Sequence, residues 1–123
     1  MDFRTKKTRE KYHAYREEQG LKKKKCDFCD ENAVNKQWAF TYWKILKNIF
    51  PYDLIAEEHD LIVPKRHFKK ESEMTAEERS ELVYLKTHKL SKSKKYDFTW
   101  ENFAHTRSVE HYHLHLLRFK RSK

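Results

Sequence analysis

The sequence predicts an α+β domain built on an antiparallel sheet. Two observations lead to this prediction. Aromatic and branched residues occur in short runs separated by turn signals, and one long segment with helical signals interrupts those runs. A doubly wound parallel sheet would need more helices than a chain of 123 residues with this pattern provides. A single hydrophobic core is therefore expected, resting on a few large aromatic side chains.

The start of the chain is charged and rich in helix formers. Residues 2–19 predict a helix, and Gly20 stands where a helix would stop. We expect an exposed basic helix and linker over residues 1–25, followed by the main domain over residues 26–123. Much of the formal net charge of +9 lies in this first segment. Two interpretations stay open: a solvated leader, or an arm that binds nucleic acid or phosphate.

Two strands are predicted in the first half of the main domain. The first covers about residues 37–46 and is followed by Pro51, which cannot donate a ladder hydrogen bond. The second contains the apolar run 61–63 and ends at Pro64. Both strands therefore precede the long helical segment.

The second half of the domain begins with a helix and ends with strands. Thr75 followed by Glu78 forms a capping box, which predicts a helix over roughly residues 75–91. Two further strands are predicted at about 97–105 and 108–119. No internal repeat is visible.

The two cysteines form a C-x-x-C motif at Cys26 and Cys29. They are too close in sequence to close a useful disulfide loop. The first 20 residues lack the apolar region of a secretory signal, and no run of about 18 apolar residues is present to span a membrane. We therefore expect a cytoplasmic protein. A zinc site is the favoured interpretation of the motif, with redox chemistry and inert thiols as alternatives.

The segment "HYHLHLL", residues 111–117, places histidines at every second position. On a strand these histidines share one face, and the residues between them point to the opposite layer. Imidazole can be neutral, protonated or metal-bound near pH 7, so the row can supply a nucleophile or a ligand with tunable neighbours. His59 and His67, near another strand, make chance clustering a weaker explanation.

These motifs resemble those of a known family. "SVEHYHLHLL" resembles the signature of the histidine-triad (HIT) family of nucleotide hydrolases and transferases. "CDFC", "KNIFPY", "HDLIVPKRH" and "MTAEERSEL" resemble further family segments, in the family's order, over about residues 26–118. The resemblance implies a HIT-like antiparallel β-sheet of about five strands with one main helix packed on it. The basic N-terminal helix would be an addition to that fold.

The resemblance also implies catalytic roles. His113 would attack the α-phosphorus of a nucleotide and form a covalent nucleotidyl-histidine intermediate. His115 would orient the site and bind the phosphate, Ser108 would hydrogen-bond a phosphate oxygen, and His59 matches a further active-site histidine. Neutral imidazole is a good nucleophile and a good leaving group once protonated, which suits this chemistry.

Three more residues are implied to bind the nucleotide. Asn48 matches the position that holds the ribose hydroxyls, and Asn102 stands in for an asparagine that precedes the phosphate loop. Arg107 occupies the place of a glutamine, and no glycine lies nearby. Arg107 can act as a bidentate phosphate ligand, or it can indicate a larger anionic substrate.

In the zinc-containing branch of the family, the matching ligands are Cys26, Cys29, His67 and His111. A Cys2His2 set of this kind closes a tetrahedral site, so the implied Zn²⁺ would be structural. It would tie the start of the domain to the sheet.

The resemblance implies a nucleotide substrate and a homodimer. Purine nucleoside phosphoramidates, dinucleoside polyphosphates and adenylylated molecules are the candidate substrates. Two alternative functions stay open. The basic N-terminus is compatible with a relative that decaps or deadenylylates nucleic-acid ends. The altered phosphate loop is compatible with a non-catalytic module that binds zinc and nucleotides.

Overall fold

A computed structural model describes residues 2–22, 26–29, 35–103 and 109–121. The helices and strands in these ranges are α1 (Lys6–Lys22), β1 (Lys36–Ala39), β2 (Trp43–Lys47), β3 (Ala56–Pro64), α2 (Ala76–Leu85), β4 (Phe98–Trp100) and β5 (Leu114–Phe119). None of the helices in these ranges combines the length and the apolar character that crossing a membrane requires.

The five strands form one sheet in the order β1-β2-β3-β5-β4, and every neighbouring pair is antiparallel. The predicted α+β class with about five strands is therefore confirmed. β3 and β5 occupy inner positions of the sheet, where pairing on both sides fixes their side chains. β4 is shorter than the predicted strand at 97–105, of which residues 104 and 105 lie outside the described ranges.

The prediction of one strand over residues 37–46 is wrong. The structure has two strands here, β1 and β2, which pair as a hairpin. The turn is closed by a hydrogen bond of 2.7 Å from Phe40 N to Trp43 O. Glu81 of α2 accepts from the backbone N–H groups of Tyr42 and Trp43 at 2.7 and 3.1 Å. The turn is therefore held by a residue 38 or more positions away, which local sequence signals do not reveal.

Helix α2 begins with the predicted capping box. Thr75 Oγ1 accepts from Glu78 N at 3.1 Å, and Glu78 Oε1 accepts from Thr75 N at 2.8 Å. The helix is shorter than the predicted 75–91, because a π-helical segment, Lys86–Leu90, follows it. In that segment the Thr87 hydroxyl donates to the carbonyl four residues earlier at 2.8 Å. Side-chain bonds of this kind compete with the regular helical ladder.

Strand β5 begins later than the predicted strand at 108–119. Its first residue, Leu114, lies opposite Ile62 of β3. Further along β3 stands Pro64, which has no N–H to offer a partner strand. The Pro64 carbonyl instead accepts from His111 Nε2 at 2.8 Å. Ladder pairing therefore stops, although the alternation of side chains continues through residues 111–113.

The sheet has two different faces. The face toward α2 carries the main core, which includes Trp43, Ile45, Ile62, Phe68, Met74, Leu82, Leu85, Tyr112, Leu114 and Leu116. The opposite face carries a smaller apolar cluster of Leu46, Leu61 and Val63, with Phe28 packed against it. Because successive strand residues point to opposite sides, the histidines of β3 and β5 lie on this second face.

Helix α1 runs to Lys22, beyond the stop expected at Gly20. Glycine permits a helix to end but does not force it to. The helix is not uniformly solvated, as the rings of Tyr12 and Tyr15 pack on Phe50 at 5.5 and 5.1 Å. The division of the chain after residue 25 stays a prediction.

Candidate active site and metal centre

The predicted metal ligands meet at one point of the second sheet face. Cys26, Cys29, His67 and His111 each bring one ligand atom to a cluster in which all four atoms lie within 4.8 Å of one another. His111 Nδ1 is 3.4 Å from both cysteine sulfurs and 3.0 Å from His67 Nδ1. The sulfur of Cys29 is 3.3 Å from His67 Nδ1. This cluster can hold a metal ion.

Three separate segments build the cluster. The cysteines flank a 3₁₀ turn in which Cys29 N donates to Cys26 O at 3.2 Å. His67 follows the end of β3, and His111 precedes β5. A backbone bond of 2.7 Å from Tyr112 N to Phe68 O holds the last two segments together. The ligands therefore depend on the sheet register as well as on the C-x-x-C spacing.

The donor set fits zinc. Zn–S bonds of about 2.3 Å and Zn–N bonds of about 2.0–2.1 Å in a tetrahedron give ligand–ligand distances of about 3.3–3.8 Å. The separations above are close to that range. Because the Pro64 carbonyl can only accept, the proton of neutral His111 is on Nε2, and Nδ1 is left for a metal. Burial, followed by the neighbouring Cys26, raises the pKa of Cys29 to about 11, an unfavourable environment for a thiolate that a bound cation would offset.

His59 and His115 form a hydrogen-bonded pair on the same face. Tyr52 N donates to His59 Nδ1 at 3.0 Å, so the proton of neutral His59 is on Nε2. That nitrogen is 2.8 Å from His115 Nδ1, which must accept. The proton of His115 is therefore on Nε2. This atom is buried and has no hydrogen-bond partner among the described residues. The pair thus presents one N–H donor to the site.

His113 has the opposite orientation to His111. Its Nδ1 lies 2.9 Å from the carbonyl oxygen of His111, so Nδ1 carries the proton of the neutral ring. The lone pair is consequently on Nε2. The His113 and His115 rings meet edge to face at 5.1 Å, and both side chains are buried. A ring nitrogen with a lone pair and an N–H donor therefore occur on adjacent histidines.

Burial keeps the histidine pair neutral. It lowers the pKa of His59 to about 3, with further lowering by the charges of Arg4 and His113. Burial also lowers the pKa of His115 to about 2, and His59, His113 and Arg4 add to the effect. At pH 7 both rings are uncharged, so the tautomers assigned from the hydrogen bonds are the relevant forms.

The structure describes only some of the residues that were expected to bind the nucleotide. Asn48 Nδ2 lies 3.4 and 3.3 Å from the two ring nitrogens of His59, and its Oδ1 accepts from Phe50 N at 2.8 Å. Asn102 contacts Tyr52 through a side-chain hydrogen bond. The segment that contains Arg107 and Ser108 lies outside the described residues.

The site also contains aromatic residues that the sequence analysis did not identify as site residues. Phe28 packs edge to face on His111 at 5.8 Å and on His113 at 5.3 Å. Tyr52 stacks on His115 at 5.4 Å, and Trp100 lies opposite His115 across the β4–β5 pair. Phe28 and Tyr52 stand inside the motifs "CDFC" and "KNIFPY", which is the signal that could have found them. Trp100 has no such signal.

The fold is shared with solved structures, although no protein-family model and no curated protein matches the sequence. A histidine triad protein from Clostridium difficile is 22% identical with a TM-score of 0.59, covering 80% of this chain and 92% of that one. A HIT family hydrolase from Legionella pneumophila Philadelphia 1 is 22% identical with a TM-score of 0.54, covering 80% and 96%.

A third solved structure has higher sequence identity. The histidine triad nucleotide-binding protein from Candida albicans is 28% identical with a TM-score of 0.50, covering 75% of this chain and 73% of that one. These likenesses cover three quarters or more of this chain, and the Cys2His2 cluster is consistent with the branch that the C-x-x-C motif indicated. The chain therefore has the fold of the histidine-triad family, as its motifs predicted.

Proposed function

We propose that this protein is a nucleotide hydrolase or nucleotidyl transferase that acts through a covalent intermediate on His113. One observation carries the proposal: the buried Nε2–H of His115 has no acceptor among the described residues, and it belongs to the ring next to His113. A buried donor without a partner costs roughly 1–3 kcal/mol. A phosphate oxygen of a bound nucleotide would satisfy it.

The chemistry follows from the tautomers. His113 Nε2 attacks the α-phosphorus and forms a P–N bond while the bond from phosphorus to the leaving group breaks. The leaving group departs with the electron pair of that bond and takes up a proton from water. His115 Nε2–H donates to an oxygen of the phosphate as its charge develops. Water or another acceptor then attacks the phosphorus, the P–N bond breaks, and its electron pair returns to His113. Two of the solved structures similar to this chain are a HIT family hydrolase and a histidine triad nucleotide-binding protein, which supports this reaction class.

We assign the metal cluster to a structural Zn²⁺. Four protein ligands leave no coordination position for water or substrate, so the ion would brace the fold without entering the reaction. Asn48 is proposed to hold the ribose hydroxyls, and Asn102 is proposed to bind the nucleotide from the position that precedes the phosphate loop. Arg107 and Ser108 are proposed to bind its phosphate.

The test is intact-protein mass spectrometry after a brief acid quench with adenosine phosphoramidate or a dinucleoside polyphosphate. Wild-type protein is expected to gain one nucleotide mass, and His113→Ala is expected to gain none. His88→Ala, a matched change at an exposed histidine, should behave as wild type. His115→Ala, which removes the N–H donor, should form the adduct about 100-fold or more slowly, since loss of one such donor costs that much in rate. An adduct on His113→Ala would refute the assignment of the nucleophile.

The same assay addresses the alternatives. Exposed basic side chains of α1, such as Lys6, Lys7 and Lys11, favour a nucleic-acid end as the second candidate substrate. An adduct that forms only with an adenylylated oligonucleotide would select that substrate. If no adduct forms with any of the three substrates, a non-catalytic module that binds zinc and nucleotides would be the remaining interpretation. A cytoplasmic location and a homodimer stay predictions from the sequence.

A further inference from the structure

The N-terminal arm, residues 2–15, is anchored beside the candidate active site. Asp53, in the loop between β2 and β3, accepts from Thr5 N at 2.7 Å and from Thr8 Oγ1 at 2.5 Å. Leu54 N donates to Phe3 O at 2.9 Å. Burial raises the pKa of the Asp53 carboxyl, but the hydrogen bonds from Thr8 and Thr5 together lower it by more, so the net effect is a lowered pKa. The start of the arm is thus fixed to the loop that also carries Tyr52.

Rings of the arm reach the residues that surround the histidine pair. Phe3 packs on Tyr52 and on Trp100, both at 5.6 Å. Tyr52 in turn stacks on His115, and it lies 4.4 Å from the ring of His59. The arm is therefore one ring away from the proposed phosphate-binding histidine.

Arg4 brings a positive charge into this part of the site. Its side chain is only 13% exposed, and its guanidinium lies 4.1 Å from the ring of Tyr12 and 4.9 Å from that of Tyr52. The charge reaches the histidine pair, because it contributes to the lowered pKa of both His59 and His115. A cation held between two rings is fixed in position, which suits it to recognition.

The hydrogen bonds of Arg4 leave room for a ligand. Nε donates to Phe50 O at 2.8 Å, and Nη1 is 3.5 Å from Asp2 Oδ1, a long and weak contact. Nη2 has no hydrogen-bond partner among the described residues. The unpartnered atoms of these residues that are fully buried do not include it, so Nη2 is accessible to solvent. An arginine offers five N–H donors in a planar fork that matches phosphate. Most of these donors remain for an anion.

We propose that Arg4 binds a second anionic group of the substrate, one phosphate beyond the phosphorus that reacts at His113. The inference rests on the proposed function and sharpens it. It favours nucleotides whose leaving group is itself a phosphate over those with a neutral amine leaving group. The arm becomes a wall of the substrate site, with Arg4 as its binding residue.

The size of the expected effect follows from the chemistry. A hydrogen bond to a charged group in a partly buried site is worth about tenfold or more in affinity. That gain applies only to ligands that carry the second phosphate. AMP and ADP differ by that group alone and are therefore the probes.

The experiment measures AMP and ADP dissociation constants by calorimetry at fixed ionic strength. All variants are made in the His113→Ala background, which prevents turnover. We expect this background to bind ADP about tenfold more tightly than AMP, and Arg4→Ala to remove the difference while AMP binding stays within about twofold. Arg4→Lys should retain part of the preference. Lys7→Ala, which removes the same charge from an exposed position on α1, should retain all of it.

Three outcomes would overturn the proposal: no preference for ADP in the background protein, an ADP preference that survives Arg4→Ala, or equal loss of AMP and ADP binding in Arg4→Ala. The third result would make Arg4 a structural support of Tyr52. Failure of the proposed function looks different. In that case the ADP preference would depend on Arg4, but wild-type protein would form no nucleotide adduct.

Discussion

The two ends of the histidine cluster use the same side chain in opposite ways. The metal end consists of Cys26, Cys29, His67 and His111, and the reaction end consists of His59, His113 and His115. At the metal end the Pro64 carbonyl takes Nε2 of His111, which leaves Nδ1 toward the cysteines. At the reaction end a carbonyl takes Nδ1 of His113, which leaves the lone pair on Nε2. The choice of nitrogen by a backbone oxygen therefore distinguishes the proposed metal ligand from the proposed nucleophile.

The ends also differ in their electrostatics. The metal end places two thiols beside two imidazoles, and burial and the mutual effect of the thiols raise the pKa of Cys29. That arrangement calls for a cation. At the reaction end, burial and the nearby positive charge of Arg4 lower the pKa of His59 and of His115, so these two rings are neutral. That arrangement calls for an anion. We therefore expect neighbouring histidines to face ligands of opposite charge.

The largest expected difference between the two ends comes from removing a metal ligand. Cys29→Ser should lower bound zinc to well below one ion per chain. It should also reduce the free energy of unfolding by about 4 kcal/mol when free zinc is about 1,000 times the dissociation constant. Elemental analysis and chemical unfolding measure both. His113→Ala is the control and should keep its zinc and the part of its stability that depends on added zinc. Full zinc content and unchanged stability in Cys29→Ser would contradict the metal assignment.

A smaller effect, specific to the reaction end, comes from acid. His59 and His115 have pKa values of about 3 and about 2 in the folded protein, against an ordinary value of 6.5. Below pH 6.5 the unfolded chain binds protons that the folded chain does not. Their stabilisation is thus complete above pH 6.5 and is lost as the pH falls toward 3. Between pH 7 and pH 5, each of the two histidines should lower the free energy of unfolding by about 2 kcal/mol.

Chemical unfolding at pH 7, 6 and 5 measures this loss. His115→Gln removes one of the two titrating groups, so its stability should fall less steeply with acid than that of wild type. His88→Gln, at an exposed position, should follow the wild-type slope. Equal slopes for wild type and His115→Gln would show that His115 is not held neutral in the folded protein.

The smallest effect tests whether the two ends are linked. Phe28 contacts His111 and His113, and such edge-to-face pairs are worth about 0.5–1.5 kcal/mol each. Phe28→Leu should weaken zinc binding and slow adduct formation by a few-fold each, measured by metal competition and quenched mass spectrometry. Phe119→Leu, which loses a contact with Phe98 away from both ends, should change neither. A change confined to one end would show that the ends act independently.

The sequence predicted those features that depend on spacing or on local signals. The capping box at Thr75 belongs to this group, because it is written in one local motif. The meeting of the four metal ligands was implied by the resemblance of several motifs to one family, and the sheet register brings those motifs together. The alternation of residues 111–117 similarly placed the histidines on one face and Tyr112 in the core.

Other features depend on contacts that no local pattern records. The β1–β2 hairpin relies on Glu81 from α2, and Arg4 reaches the site through Phe50, 46 positions away. The histidine tautomers depend on which carbonyl or N–H each ring meets after folding. These contacts were set by tertiary packing, which is why a charged N-terminus could be interpreted as a solvated leader.

The missing N–H of Pro64 has one more consequence. Where a strand pairs along its whole length, its backbone oxygens are consumed by the neighbouring strand. Here pairing between β3 and β5 ends early, so the carbonyls of Pro64 and His111 are left to accept from imidazoles. One imino acid in a strand therefore leaves two backbone acceptors, its own carbonyl and that of His111, for the rings of His111 and His113. The backbone therefore sets the different proton positions of His111 and His113 before any ligand is bound.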